Sequence, residues 1–149
     1  MGLLEARDDK ETKLPYNARS GRPASSTDPL TWSDFSTVLA AFEEDDGYSG
    51  IGFVFSEADD IIGYDADNVL DAGGKVNSDT AAWLLDELAG AYVEISPSGK
   101  GFKCWARGQR PTATGRNVGG FEAYSRGRFF TVTGRLLNGP CAPLPLMPR

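Results

Sequence analysis

Apolar residues recur at helical spacing in only two segments of this chain, and elsewhere they fall in short runs between turn-forming residues. The first segment begins with Thr31 or Ser33 as the N-cap and ends in the acidic run 43–46. The second runs from Ser78 to Leu88, with Ser78 or Asp79 as the N-cap. The predicted order is one helix, a hairpin, a second helix and then several strands. It predicts an α+β fold with a largely antiparallel sheet.

Runs rich in β-branched and aromatic residues predict strands at 3–7, 50–55, 61–67, 92–95, 102–106, 118–124 and 129–133. We expect the runs 50–55 and 61–67 to form one hairpin, and the last two to be joined by the turn 125–127. Residues 8–31 are polar and predict a long loop, and in the second helix Ala82, Leu85 and Leu88 are expected to face inward. We assign residues 1–136 to one domain and 137–149 to a proline-rich tail.

The composition excludes several classes of site. The chain has 149 residues, the size of an ordinary domain, and contains no histidine. Catalytic triads, Cys–His pairs and HExxH zinc sites are therefore excluded, and any catalysis must use carboxylates, lysine, arginine, hydroxyls or a bound metal. No apolar run approaches the roughly 20 residues that a membrane helix needs, and no secretory signal is visible. We expect a cytoplasmic protein that does not bind membranes.

Charge is distributed unevenly along the chain. Residues 1–95 hold 6 Lys and Arg against 20 Asp and Glu, whereas residues 96–149 hold 9 against 1. Such a split is typical of a polyanion-binding face beside an acidic one, although a gradient over a solvated surface is the plainer explanation. The single acid of the basic segment, Glu122, is then expected to have a cation beside it.

Three carboxylates are the candidate metal ligands. Asp65 and Asp67 stand two residues apart on a predicted strand, so both side chains project from the same face. Two neighbouring carboxylates repel unless a cation neutralises them, and oxygen ligands of this kind suit Mg²⁺ or Mn²⁺. If the strand of Glu122 lies beside that of Asp65, the three carboxylates form a site for metal-assisted phosphoryl transfer. A solvent-facing acidic strand end is the alternative.

The loop 96–101, Ser-Pro-Ser-Gly-Lys-Gly, is the candidate phosphate site. It offers the hydroxyls of Ser96 and Ser98, the Lys100 ammonium and backbone amides near two glycines, and Lys103 follows on the next strand. The spacing differs from a P-loop, because Glu94 stands where a glycine is required. A plain hairpin turn is the alternative.

Seven blocks taken together resemble a known family. They are KLPYN (13–17), TDPLTW (27–32), GIGFVF (50–55), DAD (65–67), EISPSGKG (94–101), FEAY (121–124) and RFFTVTG (128–134). In this order they resemble the primase–polymerase domain of the archaeo-eukaryotic primase superfamily, in the branch found in phage and plasmid replication proteins. Each block alone is weakly specific, and the ordered set covers most of the chain.

The resemblance implies an archaeo-eukaryotic primase-like fold, with a catalytic core related to the RNA-recognition motif, flanking helices and a smaller α/β unit. It implies that Asp65, Asp67 and Glu122 are catalytic and hold Mg²⁺ or Mn²⁺. It further implies that Ser96, Ser98, Lys100, Lys103 and Arg128 bind the nucleotide. The implied partners are a single-stranded DNA template, nucleoside triphosphates and a replicative helicase.

The sequence departs from the family pattern at one site position and at its ends. Lys103 stands where the family usually has a histidine. The chain also begins within the family's first strand and stops soon after its last motif, as a fragment or a stand-alone remnant does. The leading hypothesis is a template-dependent DNA primase/polymerase. The alternatives are a degenerate module that binds nucleotide or single-stranded DNA, and a phosphodiester-cleaving enzyme.

Overall fold

A computed structural model describes residues 1–6, 13–108 and 121–137. These residues form two α-helices and eight strands, and every pair of neighbouring strands is antiparallel. The predicted α+β class is therefore confirmed. The chain divides into two compact units, a first unit of residues 1–54 and 127–132 and a second unit of residues 55–126 and 133–149.

Each unit contains one four-stranded sheet. The order is β2-β1-β3-β8 in the first unit and β5-β6-β4-β7 in the second. In chain order the elements are β1 (Gly2–Ala6), β2 (Lys13–Tyr16), α1 (Phe35–Glu44), β3 (Gly50–Val54), β4 (Ile61–Ala66), α2 (Asp79–Glu87), β5 (Tyr92–Ile95), β6 (Phe102–Arg107), β7 (Phe121–Tyr124) and β8 (Phe129–Val132).

The first helix begins later than the sequence predicts. Its N-cap is Asp34, whose carboxylate accepts a hydrogen bond from the backbone amide of Thr37 at 2.9 Å. The predicted caps, Thr31 and Ser33, were wrong because Pro29–Thr31 forms a separate 3-10 turn. Trp32 after that turn is extended, so the turn cannot continue into α1.

Part of the predicted loop 8–31 is a strand. β2 pairs with β1, and Pro15 lies opposite Leu4. A proline lacks the amide hydrogen that a central strand needs, but β2 is at the edge of its sheet and tolerates it. The turn-forming residues of this segment conceal the strand from a reading of local composition.

Neither predicted hairpin forms. β3 lies between β1 and β8 in the first sheet, whereas β4 lies between β6 and β7 in the second. Each of these central strands has both edges occupied, so β3 does not pair with β4. β7 and β8 are edge strands of different sheets and are not paired with each other. Residues 118–120, predicted as part of the strand of β7, lie outside the described residues, and so does most of the predicted tail.

The second helix confirms the predicted bounds and corrects the predicted face. Ser78 caps it, with its Oγ accepting a hydrogen bond from the Ala81 amide at 3.3 Å. Ala81, Leu84 and Leu88 are buried, whereas Ala82 is exposed. Leu85 is partly buried and packs against the same apolar cluster, so the prediction is confirmed for Leu85 and Leu88 and wrong for Ala82. Neither α-helix in the described part of the chain is long and apolar enough to cross a membrane.

Candidate active site

The second sheet has a core face and a polar face, because side chains alternate along each strand. The core face packs with α2 in one apolar cluster. On the opposite face, the strand register sets four charged residues side by side, and we call them the charged row: Glu94, Lys103, Asp65 and Glu122, in the sheet order of β5, β6, β4 and β7. β7 is the neighbour of β4. This is the arrangement that a site with three carboxylates on one face requires.

An aromatic row borders the charged row. The next register position on the same face is occupied by Tyr92, Trp105, Gly63 and Tyr124. The Tyr92 and Trp105 rings meet edge to face with centroids 5.4 Å apart, and Trp105 and Tyr124 are buried. The aromatic row lowers the local dielectric constant, so interactions between charges in the charged row are stronger than they would be in water.

Asp65 and Lys103 form an ion pair in the centre of the charged row. Lys103 Nζ lies 2.5 Å from Asp65 Oδ2, and the two side chains are 9% and 18% exposed. Burial raises the pKa of Asp65, the Lys103 ammonium opposes that shift, and the nearby carboxylates of Asp67 and Glu122 add to it. The other carboxylate oxygen, Asp65 Oδ1, is buried and accepts no hydrogen bond from the described residues.

Glu122 and Asp67 flank Asp65 differently. Glu122 is directly opposite Asp65 on β7, and the Tyr124 hydroxyl donates a hydrogen bond to Glu122 Oε2. Asp67 is exposed and lies just past the end of β4, followed by Asn68 in the left-handed backbone region. Two of the three predicted carboxylates are therefore strand neighbours, and the third sits at the strand end beside them.

The predicted phosphate loop is the tight connection between β5 and β6. The Ser96 amide donates to the Gly101 carbonyl at 2.8 Å, and the Gly99 amide donates to the Ser96 carbonyl at 2.9 Å. The hydroxyls of Ser96 and Ser98 are 3.1 Å apart. The loop borders a cleft of about 460 Å³ whose lining residues are Asn68, Leu70, Asp71, Ala72, Ser98, Gly99 and Lys100.

Gly101 joins this loop to the carboxylate strand. A Cβ at Gly101 would lie 2.1 Å from the Ala66 carbonyl oxygen and 3.2 Å from the Asp67 Cα. The Leu70 amide also donates to the Lys100 carbonyl at 2.9 Å. The end of β4 and the phosphate loop are thus held in direct main-chain contact. The sequence analysis counted Gly101 only as one of two glycines beside the backbone amides of the loop, and its close approach to β4 has no local signal.

Glu94 is a second residue whose role the sequence analysis missed. Its side chain is fully buried, and its carboxylate accepts hydrogen bonds from the Thr133 amide at 2.7 Å, the Gly134 amide at 3.1 Å and the Tyr92 hydroxyl at 2.8 Å. The segment that follows β8 is thereby fixed along β5. An acid in the middle of an apolar strand was the available signal.

Arg135, in that same segment, braces the phosphate loop. Its guanidinium donates to the carbonyl of Ser96 at 2.5 Å and to that of Pro97 at 3.2 Å. Arg128, predicted to bind the nucleotide, belongs to the first unit and is exposed. The other predicted site residues all belong to the second unit.

The donor set suits a hard divalent cation. Asp65, Asp67 and Glu122 offer only carboxylate oxygens, which Mg²⁺ and Mn²⁺ prefer, and Asp65 Oδ1 is a buried acceptor without a donor. Within the described ranges, no three acidic or thiol side chains already converge as a metal cluster.

Comparison with known proteins gives one curated relative. The chain is 41% identical over 103 residues to the DNA primase-polymerase of Nitratiruptor phage NrS-1. The match covers 69% of this chain but only 14% of the phage protein. No protein-family model matches the chain.

Proposed function

The chain belongs to the phage DNA primase-polymerase family, and from this premise we propose that it is a template-dependent nucleotidyltransferase. The reaction is extension of a nucleic-acid strand on a single-stranded DNA template. Because the chain spans about a seventh of its relative, the proposal concerns the transfer step and not the other activities of a longer replication protein.

One observation carries the proposal. Asp65 and Glu122 are directly opposed on neighbouring central and edge strands, with Asp67 two residues from Asp65. A buried, unpaired oxygen on Asp65 faces no donor among the described residues. In a chain related to a primase-polymerase, these three carboxylates are the best candidates for catalytic groups and for ligands of Mg²⁺ or Mn²⁺.

The chemistry is an in-line displacement at phosphorus. A 3′-hydroxyl oxygen forms a bond to the α-phosphorus of the incoming nucleotide and loses its proton to solvent. The bond between the α-phosphorus and the oxygen that bridges to the β-phosphate breaks, and pyrophosphate leaves. A divalent cation, when bound, neutralises the phosphate oxygens and lowers the pKa of the attacking hydroxyl. The carboxylates of Asp65, Asp67 and Glu122 hold that charge in place, so no histidine base is needed.

The phosphate loop supports a place for the triphosphate. Ser98 and Lys100 line the cleft beside the residues that follow Asp67, and Ser96 positions Ser98 through its hydroxyl. Within the second unit we assign Ser96, Ser98, Lys100 and Lys103 to the nucleotide; for Arg128, which belongs to the first unit, nucleotide binding stays a prediction from the sequence. An ammonium binds a phosphate as a point charge, so Lys103 is compatible with this role.

The proposed fold and setting follow from the same family. We propose that residues 1–136 form a primase-like domain whose catalytic core is the second sheet. The partners we propose are single-stranded DNA, nucleoside triphosphates and a replicative helicase, within a cytoplasmic replication system.

The test is incorporation of labelled nucleotides on single-stranded DNA, with and without a primer, in Mg²⁺ or Mn²⁺. We compare the unmodified chain with Asp65→Asn and Asp67→Asn, and use Asp86→Asn as the control because Asp86 is exposed on α2. We expect incorporation to fall about 100- to 1,000-fold in the first two variants and to persist in the control. Equal incorporation in all four folded proteins would refute the assignment.

A second candidate function has one observation in its favour. The Lys103 ammonium already engages Asp65, which is what a module that binds nucleotide or single-stranded DNA without catalysis would tolerate. Such a module shows salt-dependent DNA binding but no metal-dependent incorporation. The two results, measured on the same preparation, separate the candidates.

A further inference from the structure

Lys103 occupies an unusual place for a lysine. It is the second residue of the central strand β6, and its side chain is only 9% exposed. A buried ammonium is costly unless a carboxylate and hydrogen bonds compensate it. The register gives Lys103 two acidic neighbours on the same face, Glu94 on one side and Asp65 on the other.

Glu94 has other partners for its charge. Two backbone amides and the Tyr92 hydroxyl donate to its carboxylate. Hydrogen bonds of this kind satisfy the acceptors of a buried carboxylate. The Lys103 ammonium instead lies 2.5 Å from Asp65 Oδ2. Lys103 therefore forms its ion pair in this row with Asp65.

The two oxygens of Asp65 are in different states. Oδ2 contacts the ammonium, whereas Oδ1 is buried and without a donor in the described part of the chain. Asp67 and Glu122 are the carboxylates closest to Asp65 in register and sequence. The Lys103 ammonium offsets part of the charge of these carboxylates, and Asp65 Oδ1 stays available to a divalent cation.

We propose that Lys103 is a resident cation of the carboxylate site, which occupies Asp65 Oδ2 and limits the nucleotide-free chain to one divalent cation at Asp65 Oδ1. The inference rests on the proposed function in taking Asp65, Asp67 and Glu122 as the metal ligands. Lys103 is then a positioning residue. It holds Asp65 in a fixed orientation. Before the nucleotide binds, its positive charge takes the place of a second metal ion beside Asp65.

The test counts bound Mn²⁺ by titration of the full chain, with free Mn²⁺ followed by electron paramagnetic resonance. Lys103→Met removes the charge and keeps the length of the side chain. Lys75→Met removes an exposed lysine from the same unit and is the control. Asp65→Asn tests the ligand. Circular dichroism melting shows which variants are folded.

We expect one Mn²⁺ per unmodified chain, the same count in Lys75→Met, and weakened binding in Asp65→Asn. Lys103→Met should bind a second ion, or bind the first at least about tenfold more tightly, because a repelling cation has gone. Two ions on the unmodified chain overturn the inference, even where Lys103→Met does not fold. An unchanged count and affinity in a folded Lys103→Met chain also overturn it.

The same samples separate this inference from the proposed function. A chain that binds one Mn²⁺ through Asp65 but incorporates no nucleotide leaves the resident cation standing and refutes the polymerase. A chain that incorporates nucleotides but binds two Mn²⁺ without them refutes the resident cation and leaves the polymerase standing.

Discussion

Gly101→Ala is the substitution that tests most directly how the candidate site is held together. Gly101 is the residue before β6 and does not have a positive φ, so an alanine there meets no intrinsic backbone strain. Any effect must come from what the added methyl contacts. The contacts are main chain: the Ala66 carbonyl and the Asp67 Cα, at the end of the strand that carries Asp65.

The size of the effect follows from the distances. The added Cβ would lie 2.1 Å from the Ala66 oxygen, whereas real Cβ contacts essentially never fall below 3.0 Å. The phosphate loop and the end of β4 must therefore separate by about 0.9 Å. Overpacking of this kind costs about 1–3 kcal/mol of unfolding free energy. A displacement of about 1 Å between reacting groups lowers a rate by about 100-fold.

The assay pairs urea unfolding with nucleotide incorporation. The control is Gly74→Ala, because Gly74 has φ +76° and nothing within 4 Å of an added Cβ. That variant carries the cost of a left-handed alanine, about 1 kcal/mol, without a clash. We expect Gly101→Ala to lose both stability and incorporation, and Gly74→Ala to lose stability alone.

Two results would refute this reasoning. The first is a Gly101→Ala chain with the urea midpoint and incorporation rate of the unmodified chain, since the close approach would then be absent. The second is an equal loss of incorporation in both variants at equal stability. The rate would then follow general destabilisation and not the spacing between the loop and the carboxylate strand.

Two further predictions concern buried groups. Glu94→Gln should lower the free energy of unfolding by about 1.5–3 kcal/mol, because the amide group of the new glutamine faces donors such as the Tyr92 hydroxyl. Glu87 is exposed, so Glu87→Gln should shift the urea midpoint little. Equal midpoints for the two variants would contradict the expectation. Burial raises the pKa of the Cys104 thiol to about 12, so in a Cys141→Ser chain Ellman's reagent at pH 8 should react only after denaturation. Stoichiometric reaction of the native chain would contradict that expectation.

Local signals predicted the elements of the second unit well. α2 and strands β4 to β7 were recognisable because each has its own apolar periodicity and is bounded by turn formers. The loop between β5 and β6 was recognisable for the same reason. The Ser78 cap was likewise visible, because a cap forms between residues three positions apart.

Pairing between strands was not predictable from local signals. Adjacent runs separated by a turn favour a hairpin, yet β3 and β4 take their partners from distant parts of the chain. The choice depends on which strand edges are free after the other strands have paired, and that is a property of the whole fold. The same limit concealed the edge strand β2, because Pro15 makes it look like a loop.

The pairing of charges between distant segments was also not visible in the sequence. The uneven distribution of charge along the chain suggested a basic face. In the second unit, however, Arg107 pairs with Asp60, Arg126 pairs with Glu57, and Lys103 pairs with Asp65. Cations from the basic segment thus meet acids from the acidic one, so separation in sequence does not become the same separation in space.

The charged row exists only because four strands share one register. A slip of one residue on β6 would turn Lys103 to the core face and bring an apolar neighbour beside Asp65. Register in a sheet with one buried face is fixed by its core, but the loop adds a second constraint here. Gly101 rests on the end of β4, and Arg135 and Glu94 hold the loop and the chain that follows β8. Substitutions at these three residues should therefore alter the site even though none of them is proposed to touch a substrate.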